Sequence, residues 1–177
     1  MDKSWENKVR STKTLTYFDE SNTGRWSGVV AVSVQAFNRI ARGIVQYKLT
    51  DDRNSANVVI GVAEGSASFP FGGDDRPIVF SKTSTHGITR TFAYSTGIAK
   101  AAIFLPSDPS QDNQNVLQFI TIHELIHACG LEAHDNDGVL MTLPNIQGGK
   151  IFSTPKSKKM PPFFMANKTI ARLRAIW

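Results

Sequence analysis

The residues best suited to chemistry form the run His123-Glu124-Leu125-Ile126-His127. Side chains four apart on a helix point the same way, so both imidazoles can reach one metal ion. Zinc takes nitrogen donors in tetrahedral geometry, and its catalytic sites keep one position open for water. The Glu124 carboxylate, one residue after the first ligand, can lean over that water. Zinc lowers the water's pKa toward neutrality, so Glu124 can take its proton and later pass it to the leaving amine of a cleaved peptide. The competing reading of these residues alone is a helix with two solvated or core histidines.

The surrounding residues narrow the choice. The stretch continues Ala128-Cys129-Gly130-Leu131-Glu132-Ala133-His134-Asp135, with Gly138-Val139-Leu140-Met141 shortly after. Gly130 suits a helix terminator, because glycine enters the left-handed conformation that turns the chain back. Such a turn can bring a third ligand from a loop to the same metal. Three of the chain's four histidines fall between 123 and 134. A methionine after a tight turn can form an apolar floor beneath the site.

This pattern resembles the metzincin clan of zinc metallopeptidases, whose motif is His-Glu-x-x-His-x-x-Gly-x-x-His followed by a Met-turn. The short, undecorated chain is most similar to the matrixin branch. The motif match spans 123–141, and a weaker architectural match covers most of 14–177. The resemblance implies that His123, His127 and His134 bind one catalytic Zn2+, that Glu124 is the general base, and that Met141 is the Met-turn residue. It also implies an extended protein or peptide substrate paired along an edge strand, for which Gly87 to Tyr94 is the candidate.

One departure bears on the ligand set. The motif's third ligand position falls on Ala133, which cannot bind zinc, and His134 lies one residue later. A loop absorbs an extra residue more readily than a helix does, which favours His134. Asp135 and Glu132 compete, since carboxylates also bind zinc, and Asp135 could instead orient a ligand. Beyond Met141 there is no tyrosine to act as a fifth ligand, and a cysteine-switch propeptide and a histidine set for a second zinc are also missing. His86 reads as a surface residue rather than a ligand, and Cys129 as a buried inert thiol.

The elements that must position these groups follow from periodicity. Thr14 to Phe18 alternates as a first strand. Val30, Val34, Phe37, Ala41 and Ile44 recur at helical spacing, with Gly43 a stop. Val45, Tyr47 and Leu49 mark a second strand, and Asn57 to Val62 a buried third. A helix between the first two strands predicts a crossover and parallel pairing. Ile88 to Tyr94 and Ala101 to Leu105 are further strands, the latter ended by Pro106. The active-site helix is expected to be capped by Ser110 or Asp112 and to carry Val116, Ile120, His123, His127 and Gly130 on one stripe. Residues 144 to 162 carry little regular signal, and a last helix is expected from Asn167 to Trp177.

The expected fold is α+β and metzincin-like: a mixed, mostly parallel sheet with two long helices and a small irregular C-terminal subdomain. The chain reads as one domain, 1–177, with an N-terminal subdomain 1–130 and a C-terminal subdomain 131–177. Its composition is that of a globular chain, and no apolar run is long enough to span a bilayer, so no membrane partner is expected. The charged N-terminus lacks a secretory apolar region, which points to synthesis in the cytoplasm, with virion association or non-classical release as further destinations. One cysteine excludes an internal disulfide. The net charge of +5 is concentrated after Gly138, where seven basic residues meet no Asp or Glu. Without interleaved aromatics this basic third reads as a solvated loop around Lys156 to Lys159 rather than a nucleic-acid contact. Asp74-Asp75 could hold calcium but nothing else supports it. The expected activity is that of a zinc endopeptidase using a zinc-bound water activated by Glu124. The alternative is a metal-stabilised structural or binding module of a larger assembly, such as a phage particle.

Overall fold

The computed structural model describes residues 1–64, 66–71, 78–79, 86–109, 113–135, 139–142, 145–147, 150–152 and 159–177. Asp74-Asp75 and most of the Lys156–Lys159 cluster lie outside them. The chain begins with a short helix α1 (Asn7–Arg10) and strand β1 (Thr14–Asp19), then a 3-10 turn (Gly24–Trp26) and helix α2 (Val29–Ile40). Strands β2 (Gln46–Leu49), β3 (Val58–Ala63), β4 (Ser66–Ala67), β5 (Ile78–Val79), β6 (Ile88–Tyr94) and β7 (Gly97–Pro106) follow. Helix α3 (Gln114–Ala128), strands β8 (Asn145–Gln147) and β9 (Lys150–Phe152), and helix α4 (Asn167–Ile176) complete the order.

Five strands form one sheet in the order β2-β1-β3-β7-β6. The β1–β2, β1–β3 and β3–β7 pairs are parallel, and β6 runs antiparallel to β7 at the edge. The mixed, mostly parallel sheet expected from the sequence is therefore present. Side chains of a strand alternate between faces, and the buried set of β7 divides accordingly. Ala101, Ile103 and Leu105 join Leu15, Val58 and Ile60 in the main core with α2 and α3, while Ala102 and Phe104 join Phe69 on the opposite face.

Helix α2 turns Val30, Val34 and Phe37 inward, as their spacing predicts, and ends at Ile40 before Gly43 takes up a left-handed turn. Helix α3 differs from its predicted single stripe. Val116, Leu117 and every residue from Phe119 to Ile126 are buried, because α3 is covered on several sides. Its cap also differs: the Asn113 side chain accepts from the Asn115 amide at 2.9 Å, in place of the expected Ser110 or Asp112, which lie outside the described residues.

Strand β7 extends beyond its predicted bounds, and four short strands carried too little sequence signal to predict. Strand β7 is ten residues long rather than a short apolar run, because Gly97 to Lys100 pair with β6 despite weak hydrophobicity. The two-residue strands β4 and β5, and the hairpin β8–β9 within the stretch expected to be irregular, are too short to show a period. The N-terminal segment packs across the end of α3. Trp5 is fully buried, its indole N–H donates to the Ala128 carbonyl at 2.9 Å, and Lys3 N–H donates to the Gly130 carbonyl at 2.9 Å.

Candidate metal centre

Helix α3 delivers His123, Glu124 and His127 from its last turns, and Cys129 caps its end. Gly130 then adopts φ +110°, and a Cβ there would lie 2.0 Å from the Lys3 carbonyl oxygen. The glycine thus serves both the turn and the close passage of the N-terminal segment. Beyond it, the loop returns His134 to the helix.

The three imidazoles meet through their Nε2 atoms. His123 and His134 are 3.0 Å apart, His123 and His127 3.1 Å, and His127 and His134 3.3 Å. Donors on a tetrahedral zinc ion lie about 3.3 Å from one another, given Zn–N bonds of about 2.0–2.1 Å. Tautomers are fixed for two of the rings. The Nδ1 of His123 contacts the Leu140 carbonyl and that of His127 contacts the Leu131 carbonyl, each at 2.5 Å. A carbonyl only accepts, so each Nδ1 carries the hydrogen and each neutral ring presents a bare Nε2 lone pair to the centre. Burial lowers the pKa of all three histidines, His123 most strongly, which keeps them in the neutral form a cation needs. Spacing, tautomers and protonation state all fit a metal ion.

The loop carrying His134 is held on both sides. Ala133 O accepts from Arg172 at 2.9 Å, and Asp135 N–H donates to the Met141 carbonyl at 2.6 Å. The Asp135 carboxylate, almost closed to solvent, accepts from Thr169 at 2.6 Å and from Arg172 at 2.8 Å. Arg172 in turn pairs with Asp2. Asp135 is thus committed to α4 rather than to the histidines. Glu132 pairs with Lys3 at 2.8 Å. Of the candidates for the third donor, the structure brings only His134 to the other two imidazoles. Met141 is buried directly after Leu140, whose carbonyl fixes His123.

Glu124 is 3% exposed, and burial pushes its carboxyl up to about 7 against the opposing effect of a hydrogen bond from Thr89. It lines a cavity of about 550 Å³ together with the three histidines and residues of β6. His86, expected at the surface, is half-buried and lines the same cavity, though it is not one of the three converging donors. Cys129 is fully buried, as expected, and desolvation pushes its thiol up to about 12, away from the reactive thiolate form.

Gly87 and Thr89 were expected only as part of the substrate strand, and Asp2 and Arg172 not as site residues; the contacts of Thr89 with Glu124 and of Arg172 with Asp2, Ala133 and Asp135 were not foreseen. Spacing offered no route to them, since their partners are 35 or more residues away for Thr89 and 37 or more for Arg172's carboxylates. No protein-family model and no curated protein matches this chain.

Proposed function

We propose that the protein is a zinc-dependent endopeptidase of metzincin type that hydrolyses peptide bonds with Glu124 as general base. The observation that carries this reading is the triangle of three imidazole nitrogens at 3.0–3.3 Å beside a buried carboxyl, at the wall of one cavity. A zinc ion held there by His123, His127 and His134 supplies a Lewis acid that polarises the scissile carbonyl and makes water more acidic.

The chain's own residues do the rest. Glu124 takes a proton from the attacking water as its oxygen bonds to the carbonyl carbon. When the C–N bond breaks, Glu124 returns that proton to the leaving nitrogen. Among the described residues strand β6 is the last of the sheet, beside Glu124, and an extended peptide can add to it as a further strand. Among the described residues three donors converge; catalytic zinc sites take three protein donors and keep a position open, whereas a purely structural site fills all four.

The test is to load the pure protein with zinc and incubate it with denatured casein. One zinc bound per chain and cleavage of the casein are expected, with Glu124→Ala abolishing cleavage while zinc stays bound. A wild type that binds zinc and leaves casein and varied peptides uncut would assign the site to a structural or binding module.

A further inference from the structure

The edge strand does more than border the cavity, because Thr89 in β6 and Gly87 just before it both meet Glu124. Thr89 Oγ1 lies 2.7 Å from Glu124 Oε2 and 3.1 Å from the Glu124 backbone oxygen. Two residues earlier, and so on the same face of the extended chain, Gly87 passes flush against the Glu124 stem. A Cβ at Gly87 would stand 2.6 Å from Glu124 Cγ and 3.0 Å from the Phe104 carbonyl oxygen. Glu124 lines the cavity, and among the described residues the side-chain hydrogen bond to its carboxyl goes to Oε2.

We propose that Gly87 and Thr89 form a seat for the Glu124 carboxyl, with Thr89 as a positioning residue that holds Oε2 so that Oε1 faces the nucleophilic water. The inference rests on the peptidase reading above and names residues that set the base in place.

The hydroxyl suits this task. It has one hydrogen and two lone pairs. Toward an ionised Glu124 it donates to Oε2. When the water's proton sits on Oε1, Oε2 remains an acceptor and the same hydroxyl still donates to it. The seat therefore holds in both halves of the proton cycle without moving the carboxyl. Gly87 contributes by absence of a side chain, which lets the strand approach closely enough for Thr89 to reach.

The test uses the full chain with Thr89→Val, Thr89→Ser, Glu124→Leu and the Thr89→Val/Glu124→Leu double variant. Valine matches threonine in shape and strand preference, so the strand is retained. Loaded with zinc and assayed on denatured casein, Thr89→Val is expected to keep zinc affinity and KM while kcat falls roughly ten- to a hundredfold, the scale set by misplacing a catalytic group. Thr89→Ser restores the hydroxyl and is expected to restore most of kcat. Wild-type kcat in Thr89→Val, or a loss that serine leaves unrestored, would overturn the proposal. Thermal unfolding of the same four variants reads the contact without turnover. The Tm shift caused by Thr89→Val is expected to shrink in the Glu124→Leu background, and equal shifts in both backgrounds would overturn the seat. If the zinc-loaded wild type cuts neither casein nor peptides, the peptidase reading falls, and the Tm comparison alone decides whether Thr89 holds Glu124.

Discussion

Glu124 and the three histidines respond to pH in opposite senses, and both responses are measurable. In the unfolded chain Glu124 ionises near its ordinary value of 4.5, but in the metal-free folded protein burial raises it to about 7. Its folded pKa is raised, so its favourable contribution is complete below 4.5 and is lost as pH climbs through about 7. Glu124→Gln is therefore expected to stabilise the metal-free protein at pH 8 by up to about 3 kcal/mol, with the gain fading as pH falls toward 4.5, read by urea unfolding across that range. A destabilised Glu124→Gln protein at pH 8 would contradict the burial argument. On the proposed mechanism Glu124 works as its carboxylate, and a zinc ion beside it favours that form. The acid limb of kcat/KM is thus expected below about pH 7, and zinc content measured over the same range separates loss of the base from loss of the ligand set. His134→Ala is expected to weaken zinc binding by at least about a hundredfold, while Glu132→Ala leaves it near wild type, both read by competition with a chelating dye. The reverse pattern would move the third donor to Glu132.

At the scale of elements, α3 supplies His123, His127 and Glu124, but α4 and the loop decide whether His134 arrives. Arg172 bonds Ala133 O and the Asp135 carboxylate, one on each side of His134. Arg172→Met is expected to lower zinc affinity roughly ten- to a hundredfold, as loss of an outer contact to a metal ligand commonly does, with far-ultraviolet dichroism unchanged. An unaltered affinity would show that the loop holds His134 unaided. Much of this arrangement was legible in the sequence. The spacing of His123, Glu124 and His127 needs only a helix to become a shared face, and the alternation of β1 and β6 needs only a sheet. The displaced third histidine was legible as a question, since Ala133 occupies the motif position, but its answer depended on Asp135 being drawn to Thr169 and Arg172. Such long-range bonds have no periodicity to read. The same holds for the Leu131 and Leu140 carbonyls that fix the tautomers, because backbone acceptors are present at every residue.

Across the whole molecule, the N-terminal segment and α4 close around the end of α3. Trp5 was unremarked in the sequence because a lone tryptophan in a charged segment has no pattern, yet it is among the largest fully buried side chains. Trp5→Ala is expected to cost about 3–5 kcal/mol of stability, measured by urea unfolding, as for other large aromatic residues removed from a core. A loss under 1 kcal/mol, about the level of a surface change, would contradict that packing. The basic C-terminal third also acquires an internal role. Arg172 pairs with Asp2 and Asp135, and Lys168 lies 3.3 Å from Asp135, so part of that charge is matched within the chain. Among the described residues no helix is long and apolar enough to cross a membrane. Whether the histidine triangle and Glu124 together make a hydrolytic zinc centre is decided by a zinc titration of the metal-free protein. Cleavage of denatured casein is expected to rise in step with added zinc, level off at one equivalent per chain, and vanish on chelation. Zinc bound at one equivalent with no cleavage, or cleavage that survives chelation, would contradict it.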